Sequence, residues 1–131
     1  MLLTIRDETA SGSVTNELTL DVLTESVSVR ELIRSRVYQE VNDYNLRQRQ
    51  DAEFRGLVTP ADAQRSPHGV RLRPGREIDF KDQFSKACEA FERNGFFILI
   101  DDKQAESLDE EVTLRHDSKV SFVKLLPLVG G

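Results

Sequence analysis

The sequence closes on Gly130 and Gly131, a pair without side chains whose chemistry is that of a main-chain carboxyl group. A carboxylate at neutral pH is a poor acyl donor, because it is anionic and its leaving group is oxide. Converted by ATP into an acyl adenylate, the same carbonyl is open to a cysteine thiolate, and the product is a thioester. Glycine at the end leaves no β-carbon to obstruct the attack, and a second glycine lets the backbone thread a narrow channel. Two terminal glycines arise by chance in roughly one chain in 200. The residues before them, Leu126, Pro127, Leu128 and Val129, are too apolar for a merely solubilising end and read as the part a partner recognises. Pro127 donates no ladder N–H and fixes φ, which detaches the segment from a sheet and keeps it extended. From Leu125 to Gly131 an extended chain spans roughly 20 Å, enough to reach from a globular body into a partner's active site.

The other chemistry-bearing residues are less suggestive. Cys88 lies on a stripe with Phe80, Phe84 and Phe91 and reads as a small core residue rather than a nucleophile. His68 and His116 stand in unrelated polar contexts without a recurring ligand spacing, so no metal site is expected. Asp101, Asp102, Glu106, Asp109, Glu110 and Glu111 read as a solvated face with docking to a basic enzyme surface as the alternative. Arg65, Arg71, Arg73 and Arg76 read as solvated loop. No phosphate loop, Ser/His/Asp arrangement or Gly-rich nucleotide fingerprint is present, so the chain is not expected to be an enzyme.

A length of 131 residues, with 38% apolar and 31% charged side chains, suits one folded domain rather than a disordered chain. The net charge of −5 argues against nucleic acid as the main partner, which needs a concentrated basic surface. The single cysteine cannot form an internal disulfide, and neither a signal pattern nor a membrane-spanning apolar run is seen. A cytoplasmic location without membrane association is the resulting expectation.

The elements that must position the tail are partly legible. Leu2 to Arg6 and the alternating Leu18 to Leu23, with turn chemistry at residues 9–13 between them, predict an antiparallel hairpin. Ser28 and Glu31 form a capping-box pattern with Val27 and Leu32 as a staple. They open a helix whose apolar stripe is Val29, Ile33, Val37, Val41 and Tyr44. From about Arg47 to Gly75 this order dissolves, with Leu57, Val58, Val70 and Leu72 leaving room for short strands, and a second helix is expected from about Asp79, with Phe80, Phe84, Cys88 and Phe91 on one face and Asn94-Gly95 as its stop. Phe96 to Ile100, a short segment at Val112 to Leu114, and Lys119 to Leu125 complete the strands, with Val120 and Phe122 pointing inward. An amphipathic helix between strands has to cover one face of a sheet. The expected fold is α+β: a four- or five-stranded mixed sheet around one main helix, a β-grasp.

The last third resembles ubiquitin and its relatives. Leu99-Ile100-Asp101-Asp102-Lys103-Gln104 resembles the ubiquitin segment in which an apolar strand ends in a turn and a Lys-Gln pair. Ser118-Lys119-Val120-Ser121-Phe122-Val123 resembles its final strand, and Leu125-Leu126-Pro127-Leu128-Val129-Gly130-Gly131 its leucine-rich Gly-Gly tail. The resemblance covers roughly residues 1–45 and 95–131, and is nearer to the ubiquitin-like proteins of bacterial conjugation-type gene clusters than to eukaryotic ubiquitin. It implies one ubiquitin-like domain over residues 1–125, interrupted by an insertion at 46–94 and followed by a flexible tail at 126–131. It further implies a modifier whose Gly131 carboxylate is adenylated by an activating enzyme, passed as a thioester through a conjugating enzyme, and joined to amines of target proteins. A deconjugating protease is a further implied partner. The chain itself holds no cofactor, since the ATP is used by the activating enzyme. Pro127 stands where ubiquitin has a basic residue, which implies a dedicated activating enzyme. Leu99, Val123 and Leu125 match an exposed apolar patch through which ubiquitin meets partners; covered by the insertion, they would instead be core. Two alternatives share the fold: a sulfur carrier with a C-terminal thiocarboxylate, and a β-grasp interaction domain that is never activated.

Overall fold

The computed structural model describes residues 1–47, 54–60, 63–66, 69–71 and 77–125. Strand β1 (Leu2–Thr9) and strand β2 (Val14–Asp21) form the expected hairpin. Its turn closes through Gly12, at φ +92°, a left-handed conformation that costs glycine nothing, and the Gly12 N–H donates to the Thr9 carbonyl at 2.9 Å. On β1 the pleat sends Leu3, Ile5 and Asp7 inward, and all three are buried.

A short β3 (Ser26–Ser28) leads into helix α1 (Val29–Arg47). The Ser28 hydroxyl accepts from the Glu31 N–H at 3.1 Å, satisfying one of the donors that every helix start leaves open. Val29, Ile33, Val37, Val41 and Tyr44 are all buried, so the predicted stripe is the face α1 turns to the core.

Of the segment between α1 and the second helix, the described part includes the small hairpin β4 (Gln64–Ser66) and β5 (Gly69–Arg71). Phe54, Leu57, Val58, Val70 and Ile78 join the main core. Helix α2 (Phe80–Glu92) starts at Asp79, whose side chain accepts from the Lys81 N–H. On the expected face Phe91 is buried, and Phe80, Phe84 and Cys88 lie half-buried against the core; Gln83 and Ala87 are buried beside them. Phe80 packs edge-on against Tyr38 at 5.4 Å and stacks on Phe84 at 5.9 Å, forming the rim between the helices. Gln83 turns inward because its amide donates to the Val58 carbonyl at 2.9 Å. The helix ends at Asn94, φ +60°, as the Asn-Gly pair suggests.

Strand β6 (Phe96–Ile100) turns through Asp101 and Asp102 into β7 (Lys103–Gln104). Both turn residues have positive φ, which fits a two-residue hairpin of the right twist. Strand β8 (Glu111–Thr113) lies outside the main sheet and pairs with β3. Strand β9 (Val120–Lys124) enters the middle of the sheet, parallel to β1 and antiparallel to β6. Among the described residues the main sheet is therefore five-stranded and mixed, in the order β2-β1-β9-β6-β7. Helix α1 packs on one face of it. Val120, Phe122, Phe96 and Ile98 fill the space between. No helix of the described residues is long and apolar enough to cross a membrane.

Candidate functional site

Strand β9 is the element that carries the chain toward Gly131. It is held on both sides, by Ile5 to Thr9 of β1 and by Phe96 to Ile100 of β6. The Leu125 N–H donates to the Gly95 carbonyl at 3.3 Å, just past the end of the strand. Leu125 is the last described residue before the terminus and is exposed. Leu126, Pro127, Leu128, Val129, Gly130 and Gly131 lie outside the described residues.

The sheet face turned away from α1 carries Leu99 and Val123, both half-buried. Leu99 stands opposite Ser121, and Val123 opposite Phe97, so Leu99 and Val123 are diagonal neighbours within side-chain reach. Phe97, also half-buried, extends this patch. Its position was available in the alternation of Phe96 to Ile100. Leu125 stands apart: it lines a cleft between Glu8–Ser11 and Gly56–Thr59. The described part of the insertion meets the sheet end at Lys124, on the face opposite Val123.

Beneath that cleft lies a group of four charges that the sequence reading did not bring together. Arg36 is fully buried and forks onto Asp7, Nη1 to Oδ1 and Nη2 to Oδ2 at 2.7 Å. Its Nε meets Glu40 Oε2 at 3.3 Å. The other Glu40 oxygen accepts from the Leu57 N–H at 2.9 Å. Lys124 Nζ donates to the carbonyl of the adjacent Gly56 at 3.3 Å and lies 3.6 Å from Asp7 Oδ2. The contacts thus close a ring from β9 through the insertion and α1 to β1 and back to β9. A bulge at Thr15, where Asp7 pairs with Asn16 and Glu8 with Val14, accompanies an Asn16 amide contact to Asp7 at 3.4 Å. Phe122 supplies the ring under the Arg36 guanidinium, 4.6 Å from its centroid.

The charges sum to zero, which is what makes their burial tolerable. Burial acts to raise the Asp7 carboxyl, but the Arg36 hydrogen bonds and charge, with Lys124, hold it below the usual range. Burial likewise acts against the Arg36 guanidinium, yet Glu40 and Asp7 keep it above its ordinary value. For Glu40 burial wins and pushes the carboxyl up, against Arg36 and the Leu57 N–H. Burial also lowers the Lys124 ammonium, against the attraction of Asp7. A ring in which every charge faces an opposite one fixes positions.

In comparisons with known proteins, no family model, curated protein or solved structure matches the chain. The remaining chemistry-bearing residues are dispersed. Burial raises the Cys88 thiol, so little thiolate is present at neutral pH. His116 is exposed, and His68 lies outside the described residues. Among the described residues, no three His, Cys, Asp or Glu side chains are grouped to hold a metal ion. The signal that could have revealed the ring was a charge at an inward strand position: Asp7 continues Leu3 and Ile5, and Lys124 continues Val120 and Phe122. With Arg36 and Glu40 one helical turn apart on α1, four charges point at one volume.

Proposed function

We propose that this chain is a ubiquitin-like modifier with a β-grasp fold, whose reactive group is the carboxyl that Gly131 carries at the end of the chain. The observation that carries this reading is the sheet order β2-β1-β9-β6-β7, with the last strand central, parallel to the first, and followed directly by an exposed Leu125. A strand held on both sides is a rigid base from which to present a carboxyl to another protein. In the proposed reaction an activating enzyme lets the Gly131 carboxylate attack the α-phosphorus of ATP, releasing pyrophosphate. A cysteine thiolate of that enzyme then displaces AMP to form the thioester, and an amine of a target finally displaces the thiol. The conjugating enzyme carries the thioester between the last two steps, and a protease reverses the product. Leu126, Pro127, Leu128 and Val129 are the proposed recognition segment. Leu99, Val123 and the neighbouring Phe97 form the proposed partner-binding patch, and Leu125, in the cleft apart from it, is a further proposed partner contact. The setting proposed is the cytoplasm, where ATP and free thiols are abundant.

The test is incubation of the N-terminally tagged chain with ATP in a lysate of the source cells, followed by non-reducing gels and intact-mass analysis. Thiol-sensitive adducts followed by stable ones, with Gly131 joined to a lysine amine, are expected. Exchange of one oxygen for sulfur on the unconjugated chain would replace this reading with the sulfur-carrier one. Persistence of the unmodified mass would leave only an interaction domain.

A further inference from the structure

The described part of residues 46–94 adds no strand to the main sheet, yet it is tied to one particular place. Gly56 and Leu57 touch the ring of charges at the end of β9, through Lys124 Nζ on the Gly56 carbonyl and the Leu57 N–H on Glu40. The loop is fitted closely there. A β-carbon on Gly56 would lie 2.0 Å from the buried Phe54 ring. Glu40 and Arg36 hold the helix side of the contact, and Asp7 the neighbouring strand. Lys124 is the last residue of β9, and its ammonium is the charge that this strand contributes to the ring, beside the Phe122 face under Arg36. Beyond it, the Leu125 N–H donates to the Gly95 carbonyl at 3.3 Å, the same length as the Lys124 contact to Gly56, so both ties hold the strand end.

From this juxtaposition, and resting on the modifier reading above, we propose that Lys124 is a positioning residue. It locks the end of β9 to the 56–57 loop and so sets the direction in which the chain leaves the body toward the activating enzyme. The hairpin rim at Glu8–Ser11 and the loop residues Gly56, Leu57 and Thr59 form the two walls of a cleft that Lys124 and Leu125 also line. The insertion is then part of the geometry that the activating enzyme meets. A misdirected tail reaches the same active site less often, but reacts normally once there. The loss falls on apparent affinity and leaves the chemical step unchanged.

The experiment compares the unaltered chain with Lys124→Met, which keeps the aliphatic stem, and Lys124→Arg, which keeps the charge. Each is titrated into the ATP-supplemented lysate, and the initial rate of thiol-sensitive adduct formation is followed. For Lys124→Met the concentration giving half-maximal rate should rise about tenfold at an unchanged maximal rate, with Lys124→Arg restoring most of it. Amide exchange at Leu57 should accelerate in Lys124→Met, while amides of Ile98 and Phe122 stay protected. An unchanged concentration dependence overturns the proposal and leaves the modifier reading intact. A fall in maximal rate accompanied by lost protection throughout the sheet overturns it in favour of a general structural role. Absence of adducts from the unaltered chain overturns the modifier reading and this inference with it.

Discussion

The two ends of β9 are held by different physics. At its start, Val120 and Phe122 are buried against Ile5, Ile98 and Phe96, and apolar contact of this kind is strong but non-directional. At its finish, Lys124 is held by a carboxylate and a carbonyl, which are weaker in net terms but fix an orientation. The first end makes the strand stable, and the second, on the proposal above, sets where it points. A modifier of the proposed kind, acting beyond its last strand, has reason to use both.

The sharpest way to break the comparison is to remove Phe122, which serves both ends: it fills the core and underlies Arg36. Phe122→Ala should cost about 5 kcal/mol, at the upper end of aromatic truncations, read as a lower denaturant midpoint. Asp7→Asn acts on the ionic end alone. It leaves Arg36 short of a buried counter-charge and should cost about 3 kcal/mol. This variant also tests the sign of the pH dependence. The folded Asp7 carboxyl lies below its usual value, so its stabilisation is fully present above the ordinary aspartate range near 4. It is lost as pH falls through the lowered folded value. Thermal midpoints followed downward from pH 5 should show a steep acid loss in the unaltered chain and a shallower one in Asp7→Asn. Val123→Ser, on the outer face, should change stability by no more than about 0.5 kcal/mol while weakening capture of the conjugating enzyme. If Val123→Ser is as damaging as Phe122→Ala, the outer face is covered core and the patch assignment falls.

What was readable in the sequence divides along the same line. The apolar end was legible because alternation and helical periodicity are local signals: Leu20 and Val22, the stripe from Val29 to Tyr44, and Val120 with Phe122 all occupy the faces their spacing implies. The hairpin, the Ser28 cap and the Asn94 stop were legible for the same reason. The ring was not, because Asp7, Arg36, Glu40 and Lys124 are brought together only by the pairing of β1 with β9 and the placement of α1. On helix α2 the aromatic face was legible, and the burial of Gln83 beside it was not. Aromatic residues mark a stripe, but half-buried Phe80 and Phe84 spend their area on the rim with Tyr38 while Gln83 takes the interior to satisfy the Val58 carbonyl. The short β8 was placed correctly as a strand and left without a partner, since its pairing with β3 carries no sequence mark. The proposed reactive end, Gly130 and Gly131, rests on residue chemistry alone.

The most direct measurement is therefore deletion of Gly131, scored for both adduct formation and thermal midpoint. ATP-dependent adducts should vanish while the midpoint stays within about 1 °C, as the role proposed for the Gly131 carboxyl, in transfer alone, requires. Adducts that persist, or a midpoint lower by about 4 °C, equivalent to roughly 1 kcal/mol, would contradict it.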